Sequence, residues 1–295
     1  MSLAAYPSRD MDFDALEEVE ALGLISHVGE LEARGYTIVP PEIAAATPSF
    51  VEDLRAAALS AAERRTGKSP DLATGAAQAG LRGATGEHHY YMLFEAPIFQ
   101  QALLNPVAQA LIRYLLGRSC VLSSFSLSLK GPGEIPLDLH SDNGMIPSPF
   151  PRYAQVANAT WILTDYSREA GALCFTPGSH AWCRHPTLEE VGDPRNAIPV
   201  TAPAGSLIVW HGNTWHGAYP RSIPGLRVNI IMYFCRMYLR QQEDYLRFLT
   251  HEAVAALAPE VRRLIGADAP YPFPREGPQF RQFIDATTKG KLQHH

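Results

Sequence analysis

The chain has 295 residues, 46% of them apolar, which suits one large domain or two small ones around a substantial core. A net charge of −5 with no Lys/Arg cluster argues against a nucleic-acid partner. Four cysteines (Cys120, Cys174, Cys183, Cys235) lack CxxC spacing, so a zinc knuckle or redox motif is disfavoured and reduced thiols in the cytoplasm are expected. Met1 to Arg9 lacks the basic-then-apolar run of a signal peptide, and no apolar stretch approaches membrane-spanning length. The expectation is a soluble, cytoplasmic protein with no membrane partner, and nothing in the sequence fixes an oligomeric state. The terminal His294 and His295 are set aside from metal reasoning.

Asp14 to Arg34 carries Leu, Glu and Ala at helical spacing, ends at Gly35, and passes into the strand-like Tyr36-Thr37-Ile38-Val39. Thr47 is a candidate N-cap, with Pro48 at the first position, for a helix through Ala62 and Arg65. Gly67 to Gly86 has no periodicity and reads as a long loop, and Pro97 to Leu116 reads as one helix closing at Gly117. From Cys120 the pattern changes to short strands. Ser124, Ser126, Ser128 and Lys130 alternate with Phe125, Leu127 and Leu129, the period-2 signature of one polar and one apolar face. Further strands are expected over Leu137 to Asp142, Val156 to Leu163, Ala172 to Thr176, Ser206 to Trp210 and Leu226 to Phe234. Leu239 to Ile265 reads as helical with a break near Pro259, and a Pro-rich tail follows from Pro270 to Pro278. Short strands between Gly/Pro turns imply a sandwich or barrel, mainly β, with the flanking helices covering one outer face.

His140-Ser141-Asp142, His216 and Arg227 carry the chemistry. Residues i and i+2 of an extended segment share a face, so His140 and Asp142 project together and Ser141 points elsewhere. Two imidazoles and a carboxylate are the set that holds a non-haem ferrous ion on one face and leaves the other open. His216 lies where an apolar strand runs into a small-residue turn, but His211, five residues earlier, is a rival that local pattern does not separate from it. Arg227 favours His216: it stands one hairpin further on, on a face shared with Asn229, Ile231 and Tyr233, as a fork for a carboxylate in the same cavity.

In the order LHSD (139–142), TWILTDYSREAGALCFTPGSH (160–180), GSLIVWHGNTWHG (205–217) and LRVN (226–229), the sequence resembles the phytanoyl-CoA dioxygenase-like family of Fe(II)/2-oxoglutarate-dependent oxygenases. The resemblance implies a mainly β fold with flanking α, a double-stranded β-helix (jelly-roll, cupin-like) core packed against helices. It implies one oxygenase domain over residues 1–295: a helical part about 1–118, a jelly-roll about 119–236 and a helical, Pro-rich end about 237–295. It also implies iron held by His140, Asp142 and His216, with 2-oxoglutarate and O2 as cosubstrates. Arg227 then binds the distal carboxylate of 2-oxoglutarate, Trp161 is an aromatic neighbour of that cosubstrate, His180 is a structural turn histidine, and His211 is left out.

Two positions depart from the family pattern. Ala218 stands where many relatives carry a serine that helps hold the cosubstrate, so Arg227 needs another helper, with Tyr233, Ser128 or a water as candidates. Ser141 stands where glutamine is frequent. Related halogenases lack the carboxylate ligand, so Asp142 implies hydroxylation over halogenation, with desaturation, ring closure and epimerisation left open. The expected substrate is a small, partly apolar molecule. Three segments would shape its pocket: Gly67 to Gly86 with His88-His89-Tyr90-Tyr91, then Asn143 to Tyr153, then Met237 to Phe248. The rival readings are a catalytically silent cupin-like binding protein and a metalloenzyme on the same barrel that does without 2-oxoglutarate.

Overall fold

The computed structural model describes residues 13–79, 86–192, 197–269, 273 and 275–277. Met1 to Arg9, residues 80–85 of the expected loop, most of the Pro-rich stretch 270–278 and His294-His295 lie outside the described residues. The first helical stretch is two helices, α1 (Phe13–Ala21) and α2 (Ile25–Arg34), parted at Leu22-Gly23, where Gly23 takes a φ of 69°. Gly35 then closes α2 in the left-handed region, its N–H bonded to Leu31 O, and opens β1 (Tyr36–Val39). Helix α3 (Pro48–Thr66) starts as its sequence predicts, with Thr47 Oγ1 accepting from Phe50 N at 3.2 Å. Just past the expected loop, Glu87–His89 forms a short edge strand, β2. The single helix expected over 97–116 is also two, α4 (Pro97–Leu103) and α5 (Pro106–Leu116). Pro106 has no N–H to continue α4, and the Asn105 side chain accepts from Val107 N and Ala108 N to start α5.

The remaining strands are β3 (Val121–Lys130), β4 (Leu137–His140), β5 (Val156–Ile162), β6 (Leu173–Phe175), β7 (Ile198–Pro199), β8 (Leu207–His211), β9 (His216–Ala218) and β10 (Arg227–Cys235). A short α6 (Leu188–Val191) precedes β7. Of the helical stretch expected over Leu239 to Ile265, α7 (His251–Ala255) and α8 (Pro259–Leu264) form, parted where the break near Pro259 was expected, while 239–250 holds only a short helical turn at Tyr245–Arg247. Six strands make the major sheet, in the order β1-β8-β5-β10-β3-β2, and four the minor, β4-β9-β6-β7, every pair antiparallel. This is a double-stranded β-helix with helices against one face.

The two faces of the major sheet do different work. Phe125, Leu127, Leu129, Ala157, Ala159, Trp161, Leu207, Val209, Val228, Ile230 and Met232 pack in one apolar cluster with the helices. Full burial of each large side chain there contributes about 1.5–3 kcal/mol. The alternate residues face the minor sheet. At one side Ile162, Ile208 and Trp210 join Tyr36, Tyr166, Leu173, Phe175 and Ala218 in a second cluster. At the other the interior is polar: Ser124, Ser126, Ser128, Lys130, Asn158, Thr160, Arg227 and Asn229 are all at most 5% exposed. Stability comes largely from the helix-facing side, which leaves the interior side for recognition.

Candidate metal centre

His140 and His216 are brought together by strand pairing. His140 is the last residue of β4 and stands directly opposite His216, the first of β9, with ring centroids 4.3 Å apart. Asp142 lies two residues past the end of β4 and not, as expected, on the strand. Its N–H bonds to Gly212 O at 3.0 Å, which pins the first ligand segment to the turn that delivers His216. Gly212 is required there, because a Cβ at this position would stand 2.3 Å from a Val156 methyl. Ser141 points away from the ligands as expected, its hydroxyl 3.0 Å from His185 Nδ1.

Every non-ligating atom of the triad is already occupied. His140 Nδ1 lies 2.8 Å from Asp138 O and His216 Nδ1 3.0 Å from Thr214 O, so both imidazoles donate through Nδ1 and present a lone pair at Nε2. Asp142 Oδ2 accepts from Asn158 Nδ2 and from Trp210 Nε1, each at 2.8 Å, leaving Oδ1 free. Oδ1 stands 3.9 Å from His140 Nε2 and 3.6 Å from His216 Nε2, and one ligand atom from each residue lies within 4.8 Å of the others. Cis ligands of an octahedral ion with bonds of about 2.1 Å stand roughly 3 Å apart, so a contraction of at most about 2 Å closes the set on a metal. Burial holds the His216 pKa down at about 4, against the pull of the Asp142 carboxylate and with a smaller push from His140, so its imidazole is neutral and ready to ligate. Among the described residues no other cluster of three or more His, Cys, Asp or Glu side chains meets the same criterion. His211, the rival, is turned out of it: Nδ1 accepts from Asn213 N at 3.0 Å and Nε2 lies 3.2 Å from Arg152 O. His180 sits in a helical turn 5.6 Å from the His211 ring and is not in the triad either.

Arg227 opens β10 at the polar end of the interior, 3% exposed. Its Nη1 donates to Gly171 O at 2.6 Å and its Nη2 reaches Ser128 Oγ at 3.5 Å, while buried Nε has no partner. No carboxylate pairs with this guanidinium among the described residues. Asn229 Oδ1, Thr160 Oγ1 and Tyr166 OH are likewise buried without hydrogen-bond partners. Gly171 lies four residues along from Phe175, the partner of His216 across β6 and β9, roughly 13 Å at the usual strand rise. Of the helpers considered for Ala218, Ser128 is beside Arg227, whereas Tyr233 is at the metal end, donating to Asp142 O at 3.0 Å.

Trp161 is a correction. It stands on the helix-facing side of β5, fully buried, with its indole donating to Ala102 O at 3.1 Å and Phe50 edge-on at 5.4 Å. Residues 158, 160 and 162 face inward on that strand, so Trp161 points away from Arg227 and the triad. Aromatics that do touch the site include Trp210, whose ring lies 5.1 Å from that of His216 and whose N–H holds Asp142, and Phe175, stacked on His216 at 5.8 Å. Trp210 and Asn158 are direct neighbours across β8 and β5, a pairing that the sequence does not display. Of the three segments expected to shape a substrate pocket, 143–153 buries Phe150 against His185 and leaves Met145 98% exposed. Tyr91 packs on Tyr245 and Phe248, joining the first segment to the third.

A family model described as phytanoyl-CoA dioxygenase (PhyH) matches residues 31–227, a span that contains all three candidate ligands and ends on Arg227. The chain belongs to the PhyH family. Among curated proteins this PhyH chain is 30% identical over 171 residues to the dioxygenase af480 of Aspergillus fumigatus, covering 57% of this chain and 54% of that one. Two mycobacterial proteins, one each from Mycobacterium bovis and Mycobacterium tuberculosis, are 28% identical over 182 residues, 60% of this chain and 63% of theirs. The matched part thus spans somewhat over half the length of these relatives. Solved structures share the fold. They include the carbocyclase SnoK of nogalamycin biosynthesis (19% identity, TM-score 0.57, 76% of this chain and 90% of that one). HygX of Streptomyces hygroscopicus, solved with nickel and 2-oxoglutarate, has 16% identity, TM-score 0.57 and 73% and 88% coverage.

Proposed function

We propose that this PhyH protein is a non-haem Fe(II)/2-oxoglutarate-dependent oxygenase that hydroxylates a small, partly apolar molecule. The observation that carries the reading is the His140–Asp142–His216 triad with its spare atoms already hydrogen-bonded, on the same interior as a buried guanidinium without a carboxylate. The donor set fits iron: two imidazoles and one carboxylate on one side would leave the opposite positions for cosubstrate and O2. The interior also fits a diacid. An extended five-carbon chain is about 5 Å between its end carbons, and a metal bond of about 2 Å and a hydrogen bond of about 3 Å bring the span to roughly 10 Å. That is within about one residue's rise of the roughly 13 Å between His216 and the Gly171 level where Arg227 binds. With both groups bound, oxidative decarboxylation of 2-oxoglutarate to succinate supplies the oxidant for a substrate C–H bond.

The protein's own residues hold and orient. Asn158 and Trp210 fix the Asp142 carboxylate so that one oxygen faces the metal, and Asp138 O and Thr214 O fix both imidazole tautomers. Arg227 anchors the far carboxylate in a dry pocket where charge pairing is strong. Asp142 fills the position that a halide would need, which favours hydroxylation. His140 is the open side of the triad, its side chain 40% exposed against 4% for His216, so substrate approaches past His140. Among the described residues no helix is long and apolar enough to cross a membrane. Its four cysteines are unpaired, in keeping with the cytoplasmic setting proposed for this small-molecule enzyme.

The reading is tested by incubating the protein with Fe(II), 2-oxoglutarate, O2 and pooled metabolite fractions. Substrate-dependent succinate release, lost in Asp142→Ala, supports it, and a product heavier by one oxygen atom identifies hydroxylation. A product of unchanged mass or one lacking two hydrogens overturns the hydroxylase assignment, and metal binding without any succinate release favours the silent cupin-like alternative.

A further inference from the structure

The strand β2, which reads as loop in the sequence, adds a residue to the interior at the Arg227 end. His88 stands directly opposite Ser128 on β3, and Ser128 stands opposite Asn229 on β10, so the three form one row across the sheet. Ser128 faces the interior, and residues directly opposite in an antiparallel pair share a face, so His88 faces it too. Arg227 Nη2 reaches Ser128 from the neighbouring position of β10. His88 Nε2 is buried and has no hydrogen-bond partner.

A carboxylate offers about four acceptor sites, and an arginine fork fills two of them. In a dry pocket the others need donors as well. Around Arg227 the hydroxyls of Thr160 and Tyr166 are buried without partners, and the other nearby side chains offer little more. Ala218 has no polar atom, the Tyr233 hydroxyl is committed to Asp142 O, and the Lys130 ammonium donates to Ile135 O and Tyr219 O. The His88 ring is oriented by stacking on Tyr90, with centroids 4.6 Å apart. Burial, with lesser contributions from His89 and Arg227, keeps the His88 pKa down at about 4, so near neutral pH the ring is uncharged and one nitrogen carries a single N–H.

Resting on the 2-oxoglutarate reading above, we infer that His88 is a cosubstrate-binding residue: its Nε2–H donates to the carboxylate gripped by Arg227, in place of a donor at Ala218. The edge strand β2 therefore belongs to the site, and the stack of His88 on Tyr90 connects cosubstrate binding to the surface, where Tyr90 is exposed.

The test compares two ligands that chelate metal identically, 2-oxoglutarate and 2-oxobutyrate, which lacks the distal carboxylate. Dissociation constants are measured anaerobically on the Fe(II)-loaded protein, with no turnover. Loss of one hydrogen bond to a charged group predicts that His88→Ala binds 2-oxoglutarate about 10–100-fold more weakly. Its affinity for 2-oxobutyrate and for Fe(II) is expected to stay unchanged. His88→Gln, whose amide N–H can stand near the Nε2 position, is expected to recover most of the loss. Wild-type 2-oxoglutarate affinity in folded His88→Ala overturns the inference, as does an equal loss for both ligands or a failure of His88→Gln to rescue. If the unmodified protein prefers neither ligand, the 2-oxoglutarate reading itself fails and the role of His88 falls with it.

Discussion

Replacing Trp210 with Phe isolates one hydrogen bond on which the metal centre depends. The phenyl ring keeps the flat apolar contact with His216 and loses the N–H that lies 2.8 Å from Asp142 Oδ2. Asn158 still donates to the same oxygen, so the carboxylate stays tethered but can swing about that single contact. Removing such an outer partner of a metal ligand typically weakens metal binding about 10–100-fold, or about 1.4–2.8 kcal/mol. Because both donors act on one oxygen, the Trp210→Phe/Asn158→Ala double variant is expected to lose more than the sum of the two single losses. The assay is anaerobic chelator competition for Fe(II), or for Co(II) as a stable substitute, with urea unfolding to show that each variant is folded. A folded Trp210→Phe protein with unchanged metal affinity would refute the claim that Asp142 is oriented by this indole.

Trp161→Phe is the matched control: it loses the bond to Ala102 O and should lower stability by about 1 kcal/mol while leaving Fe(II) and 2-oxoglutarate affinities unchanged, as read by unfolding and binding titrations. Arg227→Lys keeps the charge but not the fork, and is expected to weaken 2-oxoglutarate binding at least about tenfold with no effect on Fe(II) affinity, measured by the same titrations. Glu243, 1% exposed, accepts from Tyr91 N at 2.6 Å, from Phe125 N at 2.9 Å and from the Tyr245 hydroxyl, tying the C-terminal segment to β3. Glu243→Ala strands these donors and should cost about 2–5 kcal/mol, seen as a fall in Tm of several degrees, whereas Glu243→Gln should cost less. Burial holds His211 down at about 3, below its unfolded value near 6.5, so the unfolded chain takes up the extra proton. Its contribution is fully present above about pH 6.5 and is lost as pH falls toward 3, at up to about 1.4 kcal/mol per pH unit. His211→Asn, whose amide oxygen can still accept from Asn213 N, should flatten the decline in stability between pH 7 and 5 measured by urea unfolding.

Local chemistry made part of this molecule readable in advance. The Ser/apolar alternation of 124–130 announced a strand with a polar face, and the cap at Thr47 and the close at Gly35 came from single residues. His140, Asp142 and His216 were legible as types and spacing, although the strand ends at His140 and Asp142 owes its place to the bond with Gly212 O. Trp161 was carried over from the family resemblance, and the strand itself offered no check: β5 is buried throughout, so polarity alone does not say which alternate set looks inward. Asn158 was the available signal: a lone amide in an otherwise apolar strand needs a buried partner, and that partner is Asp142. Trp210 and His88 depend on strand register and edge pairing between segments far apart in sequence, which no local pattern encodes. The break between α4 and α5 was visible in Asn105-Pro106, where a cap and a missing N–H override the helical composition on either side.

The most direct trial of the account is an anaerobic optical titration of the Fe(II)-loaded protein with 2-oxoglutarate. The account predicts a visible metal-to-ligand charge-transfer band that saturates with added diacid, is abolished by Asp142→Ala, and needs at least about tenfold more 2-oxoglutarate in Arg227→Ala. Absence of the band in the folded, metal-loaded protein at saturating 2-oxoglutarate would contradict it.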